Sequence, residues 1–312
     1  MIGVILSASA ANDDSIRDMI AEHGADGVRV EPWVAWESAQ AAQLTAALLR
    51  SGARRLVVMG GDGTIHEVVN ALRDNRALDR VAVAVVPGGT GNDFVRALDR
   101  PTQQLGDALL ASSTRSVDLI DAGGSVAVNA VTFGAGTGGT RNASPRAKEL
   151  AGGLAYFFQA LRESSDLADT FLEIDSAEGH WEGDVWGVAV CNGTSVGGGL
   201  CVAPEARLDD GLLDIAILPS SRSPTLEAIT TLLSPEGNQR SSVIRIRTDR
   251  VTLRFSTDTP MHIDGEFSMV RSACLRVMPG ALTLTVDDVP SETALDERAQ
   301  APGPQSRQRG SG

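Results

Sequence analysis

The sequence predicts a chain in two parts, an N-terminal α/β part built on a parallel sheet and a C-terminal antiparallel β-sandwich or barrel. The first part is predicted by two short apolar runs, at 56–59 and 81–86. Each run ends at a glycine-rich turn, and residues with helical apolar spacing follow that turn. The second part is predicted by short alternating runs, separated by turn residues, which dominate from residue 123 onward.

The segments before the first glycine turn alternate between strand and helix. Apolar residues at 41, 44, 47 and 48 have helical spacing, Ser38 is a candidate N-cap, and Gly52 ends the helix. The predicted elements are, in order, a strand at 1–7, a helix near 13–23, a strand at 27–34 and a helix over 38–51.

The first glycine turn reads Gly-Gly-Asp-Gly-Thr at 60–64 and is followed by apolar positions 65, 68, 69 and 72. A strand, a tight loop and a helix start present free backbone N–H groups and the positive end of a helix dipole to an anion. Asp62 could hold a metal ion or a hydroxyl proton beside that anion. An Asp-Gly turn alone is also typical of a plain hairpin.

The second glycine turn reads Pro-Gly-Gly-Thr-Gly-Asn-Asp at 87–93 and precedes another helix start. Two such corners in succession predict a βαβα unit, in which both loops lie at the carboxyl ends of parallel strands, where open α/β sheets bind ligands. This repetition favours an anion site over two unrelated turns. A helix near 102–111 and a strand at 116–122 then complete a first domain over 1–122.

The second domain, over 123–289, is predicted to be mostly strands, with helices near 151–164 and 225–233 and a disordered tail at 290–312. A Gly-x-Gly-x-x-Gly pattern begins at Gly134, but no helix with an apolar face follows it, so a dinucleotide site is not favoured. The predicted strands lie at 126–133, 170–175, 185–191, 213–218, 244–247, 251–255, 261–263, 273–278 and 282–286.

The composition excludes several classes of protein. The net charge of −13 argues against a nucleic-acid partner, and it also argues against tight electrostatic docking on anionic lipid. No long apolar segment predicts a transmembrane helix and no basic leader opens the chain, so the expected location is the cytoplasm. The three cysteines lack metal-binding spacing and are read as reduced thiols. Lys148 is the only lysine, and it follows no glycine loop, so a Walker A site is excluded.

Two acidic turns in the second half are candidate functional sites. Asp209, Asp210 and Asp214 surround an Asp-Gly turn that could ligate Mg²⁺ or could be a hairpin turn without metal. Asp264 and Glu266 flank a glycine at a strand end, where they could abstract a proton, bind a metal or form an ordinary turn. The single histidines lack partners at metal-binding spacing, which favours surface or core roles for them.

Taken in order, these segments resemble the diacylglycerol kinase catalytic family, in particular its soluble bacterial lipid kinases. The resemblance extends over residues 1–287 and rests on motifs in both halves. The matching motifs are Gly-Gly-Asp-Gly-Thr at 60–64, Pro-Gly-Gly-Thr-Gly-Asn-Asp-Phe at 87–94, Val-Asp-Leu at 117–119, Cys-Asn-Gly at 191–193, Gly-Gly-Gly at 197–199, Ala-Pro-Glu-Ala-Arg-Leu-Asp-Asp-Gly-Leu-Leu-Asp at 203–214 and Asp-Gly-Glu at 264–266.

The resemblance implies a Rossmann-like N-terminal domain, a C-terminal β-sandwich and an active site in the cleft between them. It also implies that Glu266 accepts the proton of a lipid hydroxyl, with Asp264 and Asp62 beside it in the catalytic centre. By the same resemblance, ATP would be bound by Gly60, Gly61, Asp62, Gly63, Thr64, Ile65, His66, Gly89, Thr90 and Asn92.

For Mg²⁺, the resemblance implies two sets of residues. Asp264, Asp62, Asp93 and Asp118 would build an acidic, water-linked network around the catalytic ion. A structural Mg²⁺ would take a side-chain oxygen from Asp210 and main-chain oxygens from Arg207 and Leu212. The cofactors implied are therefore ATP and Mg²⁺.

The implied reaction is the ATP-dependent phosphorylation of diacylglycerol, or a similar lipid, to phosphatidic acid. The lipid would be taken from the membrane surface during transient association, and exposed sandwich edges are compatible with a homodimer. Two departures weaken the inference of activity, since Ser7–Ala11 replaces the family's Asn-Pro-x-Ser-Gly loop and Ala35 stands where a threonine is expected. The alternatives are a kinase for a soluble alcohol and a non-catalytic nucleotide or lipid sensor.

Overall fold

The structure, a computed structural model, describes residues 1–11, 16, 29–37, 39–98, 104–134, 170–220 and 243–286. Several sequence predictions lie outside these residues. They are the helix near 13–23 apart from Ile16, the N-cap role of Ser38, the helices near 151–164 and 225–233, the glycines of the Gly-x-Gly-x-x-Gly pattern after Gly134, and the tail at 290–312.

Four strands at the N-terminus pair in parallel, in the order β4-β3-β1-β2. Because the strands are parallel, the glycine turns that follow β3 and β4 lie at the same edge, and Gly60 is the register partner of Pro87. The strands are β1 (Ile2–Ser7), β2 (Val30–Ala35), β3 (Arg55–Gly60) and β4 (Ala82–Pro87).

Helices cover both faces of these four strands, which explains why the strands read as unbroken apolar runs. On one face, Leu56 and Val58 pack with Leu48 and Ile65, and on the other face Val57 packs with Leu105. The described helices are α1 (Ala8–Ala11), α2 (Gln40–Arg50), α3 (Asp62–Asp74), α4 (Asp93–Ala97) and α5 (Leu105–Leu110).

The remaining strands pair antiparallel with one another, and a second apolar core among them includes Phe133, Ile174, Ile215 and Leu253. Within the described residues, thirteen strands are hydrogen-bonded into one sheet, and β10 and β11 form a separate pair. The strands are β5 (Ser113–Asp121), β6 (Val126–Ala127), β7 (Ala130–Gly134), β8 (Thr170–Ser176), β9 (Gly179–Cys191), β10 (Ser195–Val196), β11 (Leu200–Cys201), β12 (Leu213–Pro219), β13 (Ile244–Thr248), β14 (Arg250–Ile263) and β15 (Glu266–Val286).

Strands β14 and β15 are longer than the sequence predicts, because each joins two runs that were expected to be separate strands. The Pro279–Gly280 pair predicts a break, but the structure accommodates it as a register shift within β15, where Gly280 has a φ of 59°. Past that shift, Leu284 pairs in parallel with Val83 and packs into the core of the N-terminal strands. The end of β15 therefore belongs to the first core, while its beginning belongs to the second.

One predicted strand is divided in the structure. The sequence predicts a strand over 126–133, whereas β6 ends at Ala127 and β7 begins at Ala130. The division arises because the N–H groups of Val128 and Asn129 donate to the side chain of Asp264 instead of to a neighbouring strand. In the described part of the chain, no helix combines the length and apolar character needed to cross a bilayer.

Candidate active site

The N-terminus of α3 forms the first glycine corner. The first N–H with an intrahelical partner is that of Ile65, which donates to the carbonyl of Gly61 at 3.2 Å. The earlier N–H groups, of Asp62, Gly63 and Thr64, precede the helical ladder, and the N-cap residue Gly61 has no side chain to accept from them. These donors, together with the helix dipole, suit a phosphate group.

The two glycine loops contact one another through their backbones. A Cβ on Gly89 would lie 2.6 Å from the Cα of Gly61, and a Cβ on Gly88 would lie 3.0 Å from the nitrogen of Gly60. At Gly63, by contrast, a Cβ would have no atom within 4 Å. Gly88 and Gly89 are therefore required by loop packing, whereas a side chain at Gly63 would meet open space.

The second loop is closed by its own asparagine. Asn92 has a φ of 52°, and its side chain accepts from the N–H of Gly89 at 3.1 Å and donates to the carbonyl of Gly89 at 2.6 Å. Thr90, between these two residues, is exposed. The geometry thus assigns Asn92 and Gly89 a loop-closing contact and leaves Thr90 available for a ligand.

The carboxylate of Asp62 holds the second loop against the first. Its two oxygens accept the N–H groups of Asp93 and Phe94, each at 3.2 Å, at the start of α4. Burial raises the pKa of Asp62, and the negative charges of Asp93 and Asp264 raise it further. The contributions of these two charges indicate that the three carboxylates lie near one another.

Asp93 connects the second glycine loop to the C-terminal strands. Its oxygens accept the hydroxyl of Ser195 at 2.9 Å and the N–H of Gly198 at 2.7 Å. Gly198 belongs to a run of three glycines, 197–199, which all have positive φ values. The run can take this conformation because glycine has no Cβ, and it delivers an N–H to a buried carboxylate.

The side chain of Asp264 is saturated with hydrogen bonds. Its oxygens accept the N–H groups of Val128 at 2.7 Å, Asn129 at 3.0 Å and Ala130 at 3.0 Å. His66 Nδ1 lies 3.0 Å from Asp264 Oδ2, and the side chain of Asp264 is only 2% exposed. Four donors around one buried carboxylate make Asp264 a structural anchor in this geometry.

Glu266 differs from Asp264 in every one of these respects. It is the first residue of β15, its side chain is exposed, and that side chain has no hydrogen bond to any described residue. It lies close enough to His262 for its charge to raise the pKa of that imidazole, although burial lowers the pKa of His262 more strongly. Of the two acids in the turn, Glu266 is the one whose oxygens are available for a proton.

Ile65 and His66 can offer a nucleotide only their main chains. The side chain of Ile65 is buried in the first core. The imidazole of His66 is directed at Asp264, and Asn70, one helical turn later, donates to the carbonyl of His66 at 3.0 Å. Asn70 also accepts the N–H of Val126 at 3.0 Å, so two residues of α3 bind the C-terminal strands.

Two of the predicted Mg²⁺ ligands lie around a different turn. Asp118 is buried and accepts the N–H groups of Gly211 and Gly280, each at 2.7 Å. The carboxylate of Asp210 pairs with the guanidinium of Arg247 and accepts the N–H of Leu212 at 3.1 Å. Because Arg247 already neutralises Asp210, the structural Mg²⁺ at this turn stays a prediction.

Arg207, the third residue of that predicted site, lies beside another acid, with its Nε 3.6 Å from Asp209 Oδ1. Among the residues that the structure describes, no group of three or more His, Cys, Asp or Glu side chains is arranged to hold a metal ion. A metal at either turn would therefore need oxygens from the main chain, from water or from a bound phosphate.

Two buried asparagines join the two acidic clusters and were not singled out from the sequence as site residues. Asn192 donates to the carbonyls of Asp118 and Val128, both at 2.8 Å, and Asn129 donates to the carbonyl of Ser195 at 2.9 Å. Asn129 interrupts an apolar run and Asn192 directly follows one. These positions were the available signal, because polar residues beside apolar runs must find partners when they are buried.

Comparisons with known proteins agree with this two-part arrangement. The model of the diacylglycerol kinase catalytic domain matches residues 6–122, and that of the YegS C-terminal NAD kinase β-sandwich-like domain matches residues 129–286. These matches define a kinase catalytic domain followed by a β-sandwich-like domain. The chain belongs to the diacylglycerol kinase catalytic family.

Individual relatives support the same assignment. A protein of Pseudomonas savastanoi pv. phaseolicola named "Probable lipid kinase YegS-like" is 32% identical, over 95% of both chains. One of the same name from Pseudomonas aeruginosa is 32% identical over 89% of this chain and 92% of its own. A crystal structure described as a diacylglycerol kinase from Bacillus anthracis covers 92% of this chain and 96% of its own with a TM-score of 0.72, and its 22% identity makes it evidence for the fold alone.

Proposed function

We propose that this protein is an ATP- and Mg²⁺-dependent lipid kinase that phosphorylates the hydroxyl of diacylglycerol, or a similar lipid, with phosphatidic acid as the product from diacylglycerol. The observation that carries the proposal is the bond between His66 and Asp264. This bond joins the helix that begins at the glycine corner to the turn that ends at Glu266, so a phosphate donor and a proton acceptor would lie on elements in direct contact.

Backbone donors would bind the phosphates of ATP. The N–H groups of Asp62, Gly63 and Thr64 precede the helical ladder of α3, and the N-cap residue Gly61 provides no side-chain cap. A Cβ at Gly63 would meet no atom within 4 Å. Because phosphoryl transfer depends mostly on positioning and charge stabilisation, such donors can serve where a Walker A lysine is absent.

Asp62 is the carboxylate that would hold Mg²⁺ at this corner. Each of its oxygens accepts only one long N–H bond, so lone pairs remain for a cation. Mg²⁺ commonly binds through one or two carboxylates together with substrate phosphates and water, and it would neutralise charge on the transferring phosphoryl group. A bound cation would also relieve the mutual repulsion among Asp62, Asp93 and Asp264.

Glu266 would act as the general base. The hydroxyl proton of the acceptor would pass to a carboxylate oxygen of Glu266 while the hydroxyl oxygen forms a bond to the γ-phosphorus and the bond between that phosphorus and the ADP oxygen breaks. Asp264 would position Glu266 by holding the turn, since its own oxygens are occupied by three N–H groups and His66.

Lipid phosphorylation can be tested by incubating the protein with radiolabelled ATP, Mg²⁺ and diacylglycerol in mixed micelles. We expect label in the chloroform-extractable product, and a roughly 10²- to 10⁴-fold lower turnover for Glu266→Gln. Glu178→Gln is the matched control, because Glu178 is an exposed glutamate in the β8–β9 turn. An unlabelled organic phase with the wild-type protein contradicts the lipid assignment, and wild-type turnover by Glu266→Gln contradicts the assignment of the base.

A soluble alcohol is the second candidate acceptor, and the net charge of −13 favours it because an acidic surface is repelled by anionic lipid. The same assay with a panel of sugars, nucleosides and short polyols separates the two acceptors. Label that stays in the aqueous phase with one of these alcohols, and none in the organic phase, would support the soluble acceptor.

A non-catalytic sensor is the third candidate, favoured by the altered loop at 7–11, where Ala10 and Ala11 are buried in α1. This candidate predicts that ATP binds without turnover for any acceptor. It also predicts that Glu266→Gln and Asp62→Asn change no transfer rate.

A further inference from the structure

Trp36 is the most exposed tryptophan that the structure describes, with 61% of its surface accessible, whereas Trp33, Trp181 and Trp186 are half-buried. It directly follows Ala35, the last residue of β2. A large aromatic side chain gains free energy when it leaves water, so one that stands exposed at a ligand-binding edge is a candidate contact for a ligand.

The loop that carries Trp36 is held firmly. Gln40 Oε1 accepts the N–H of Trp36 at 2.8 Å and the N–H of Glu37 at 3.3 Å. The two carboxylate oxygens of Glu67 accept the N–H of Ala39 at 2.8 Å and the N–H of Ala41 at 3.0 Å. Glu67 lies on α3, so the helix whose N-terminus forms the glycine corner also fixes the start of α2 and the loop before it.

Trp36 and the glycine corner lie on the same edge of the parallel sheet. The strand order β3-β1-β2 separates Gly60 from Trp36 by two strand spacings, which is roughly 10 Å. The end of β1 and helix α1 lie between them, and the residues there, Ser7–Ala11, are all serine or alanine. No large side chain of this segment separates the corner from the indole.

We infer that Trp36 stacks on the base of the bound nucleotide. This inference rests on the proposed function, in which the triphosphate lies on the N–H groups of α3. A nucleotide extended along the carboxyl edge from that corner would cross the small residues of α1 and bring its base to the face of the indole.

Nucleotide affinity without acceptor tests the inference. Base–aromatic stacking implies that Trp36→Ala weakens ATP binding by roughly five- to a hundredfold, and that Trp36→Phe retains most of the affinity. Inorganic triphosphate has no base, so its affinity should be the same for wild type and Trp36→Ala. ATP should also quench a fraction of the wild-type tryptophan fluorescence that is absent in Trp36→Phe. Because Trp36 is exposed, neither substitution should change the melting temperature.

Each result other than these overturns the inference in a recognisable way. Equal ATP affinity for wild type and Trp36→Ala removes the stack and leaves the proposed kinase function standing. If the wild-type protein binds neither ATP nor triphosphate, both the stacking inference and the proposed kinase function are wrong. A Trp36→Ala variant with normal ATP affinity but weaker sedimentation with vesicles of phosphatidylcholine and diacylglycerol identifies Trp36 as a membrane contact instead.

Discussion

His66 Nδ1 lies 3.0 Å from Asp264 Oδ2, and the two side chains are 8% and 2% exposed. Helix α3 contributes His66, and the turn between β14 and β15 contributes Asp264, so this pair joins the N-terminal sheet to the C-terminal strands at the candidate active site. Three N–H groups from 128–130 fix the carboxylate on its other side. The imidazole of His66 therefore sets the distance between α3 and the turn that joins β14 to β15.

Removing the imidazole should disturb catalysis more than nucleotide binding. We expect His66→Ala to lower the free energy of unfolding by about 1–3 kcal/mol, because a buried acceptor loses one of four donors. Turnover should fall while the affinity for inorganic triphosphate stays near the wild-type value, because the N–H groups of α3 remain. His180→Ala is the control, since His180 pairs with Asp175 and Glu182 at an exposed site. A wild-type turnover rate in His66→Ala would remove the positioning role.

Asp264→Asn and Glu266→Gln should separate the anchor from the base. The asparagine side chain of Asp264→Asn would place an NH₂ group, which cannot accept, beside N–H groups that need an acceptor. We therefore expect Asp264→Asn to lower the melting temperature. The side chain of Glu266 has no hydrogen bond to described residues, so Glu266→Gln should keep the melting temperature and lose turnover. Thermal unfolding and initial rates of both variants, measured side by side, check this. An inactive Asp264→Asn variant with an unchanged melting temperature would assign Asp264 a direct chemical role.

Asp62→Asn should show that the carboxylate of Asp62 is needed for turnover but lowers the stability of the fold. Burial raises the pKa of Asp62 above its ordinary value, so the folded state binds the proton more tightly than the unfolded state does. The ionised carboxylate therefore destabilises the fold at neutral pH, and this penalty fades as the pH falls through the raised pKa. At pH 7 we expect the free energy of unfolding of Asp62→Asn to lie within about 1 kcal/mol of the wild-type value or to exceed it. We expect the same variant to lose turnover.

Comparison of urea titrations at pH 7 and pH 4.5 checks the sign for Asp62. The stability of Asp62→Asn relative to wild type should decrease towards the lower pH, because Asp62 takes up its proton at a higher pH in the folded state than in the unfolded state. A relative stability that increases at low pH would mean that the folded state favours the charged carboxylate, contrary to the burial argument.

The local features of the site could be predicted from the sequence. Both glycine turns follow apolar runs and precede helical spacing, so the strand, loop and helix start at 56–65 could be placed without knowledge of the rest of the fold. The pairing of β3 with β4 then brings Gly61 and Gly89 together through a parallel register. Apolar periodicity and turn residues act over only a few positions in the chain. The strand, loop and helix start at each glycine turn depend mainly on these local signals.

The partners of the acidic residues could not be predicted in the same way. The three N–H donors to Asp264 come from 128–130, inside a run whose alternation predicts an unbroken strand, and His66 is 198 residues away in the chain. Nothing in the spacing of Asp264 and Glu266 distinguishes a saturated carboxylate from a free one. Only the tertiary fold shows that Asp118 accepts the N–H groups of Gly211 and Gly280.

His262 should make the wild-type protein less stable in weak acid. Burial lowers the pKa of this imidazole below its ordinary value of 6.5, although the charge of Glu266 opposes the shift. As the pH falls below 6.5, the unfolded state takes up the proton first, so folding stability is lost through that window down to the lowered pKa. His262→Gln should lose less stability than wild type between pH 7.5 and pH 5.5. Taking the difference between the two proteins cancels the contributions of the other histidines, and equal losses would contradict the prediction.

Substitution of two glycines by alanine should separate loop packing from phosphate binding. A Cβ at Gly63 meets no atom within 4 Å and the residue has no positive φ, so Gly63→Ala should keep or raise the free energy of unfolding, by about 0.5 kcal/mol, through reduced entropy of the unfolded chain. Gly63 lies between Asp62 and Thr64, whose N–H groups are the other proposed phosphate donors, so an added methyl group should crowd a phosphate bound to them. We therefore expect at least a tenfold loss of affinity for ATP and for inorganic triphosphate.

Gly89→Ala, in contrast to Gly63→Ala, should lower the free energy of unfolding. Its Cβ would lie 2.6 Å from the Cα of Gly61, so the two loops must move apart, at a cost of about 1–3 kcal/mol in the free energy of unfolding. Gly124→Ala is the matched control, because a Cβ there also meets open space but lies on a turn between β5 and β6. Urea unfolding and calorimetric titration with triphosphate measure the two effects independently. If Gly63→Ala binds triphosphate as tightly as Gly124→Ala does, the proposed position of the anion on the N-terminus of α3 is wrong.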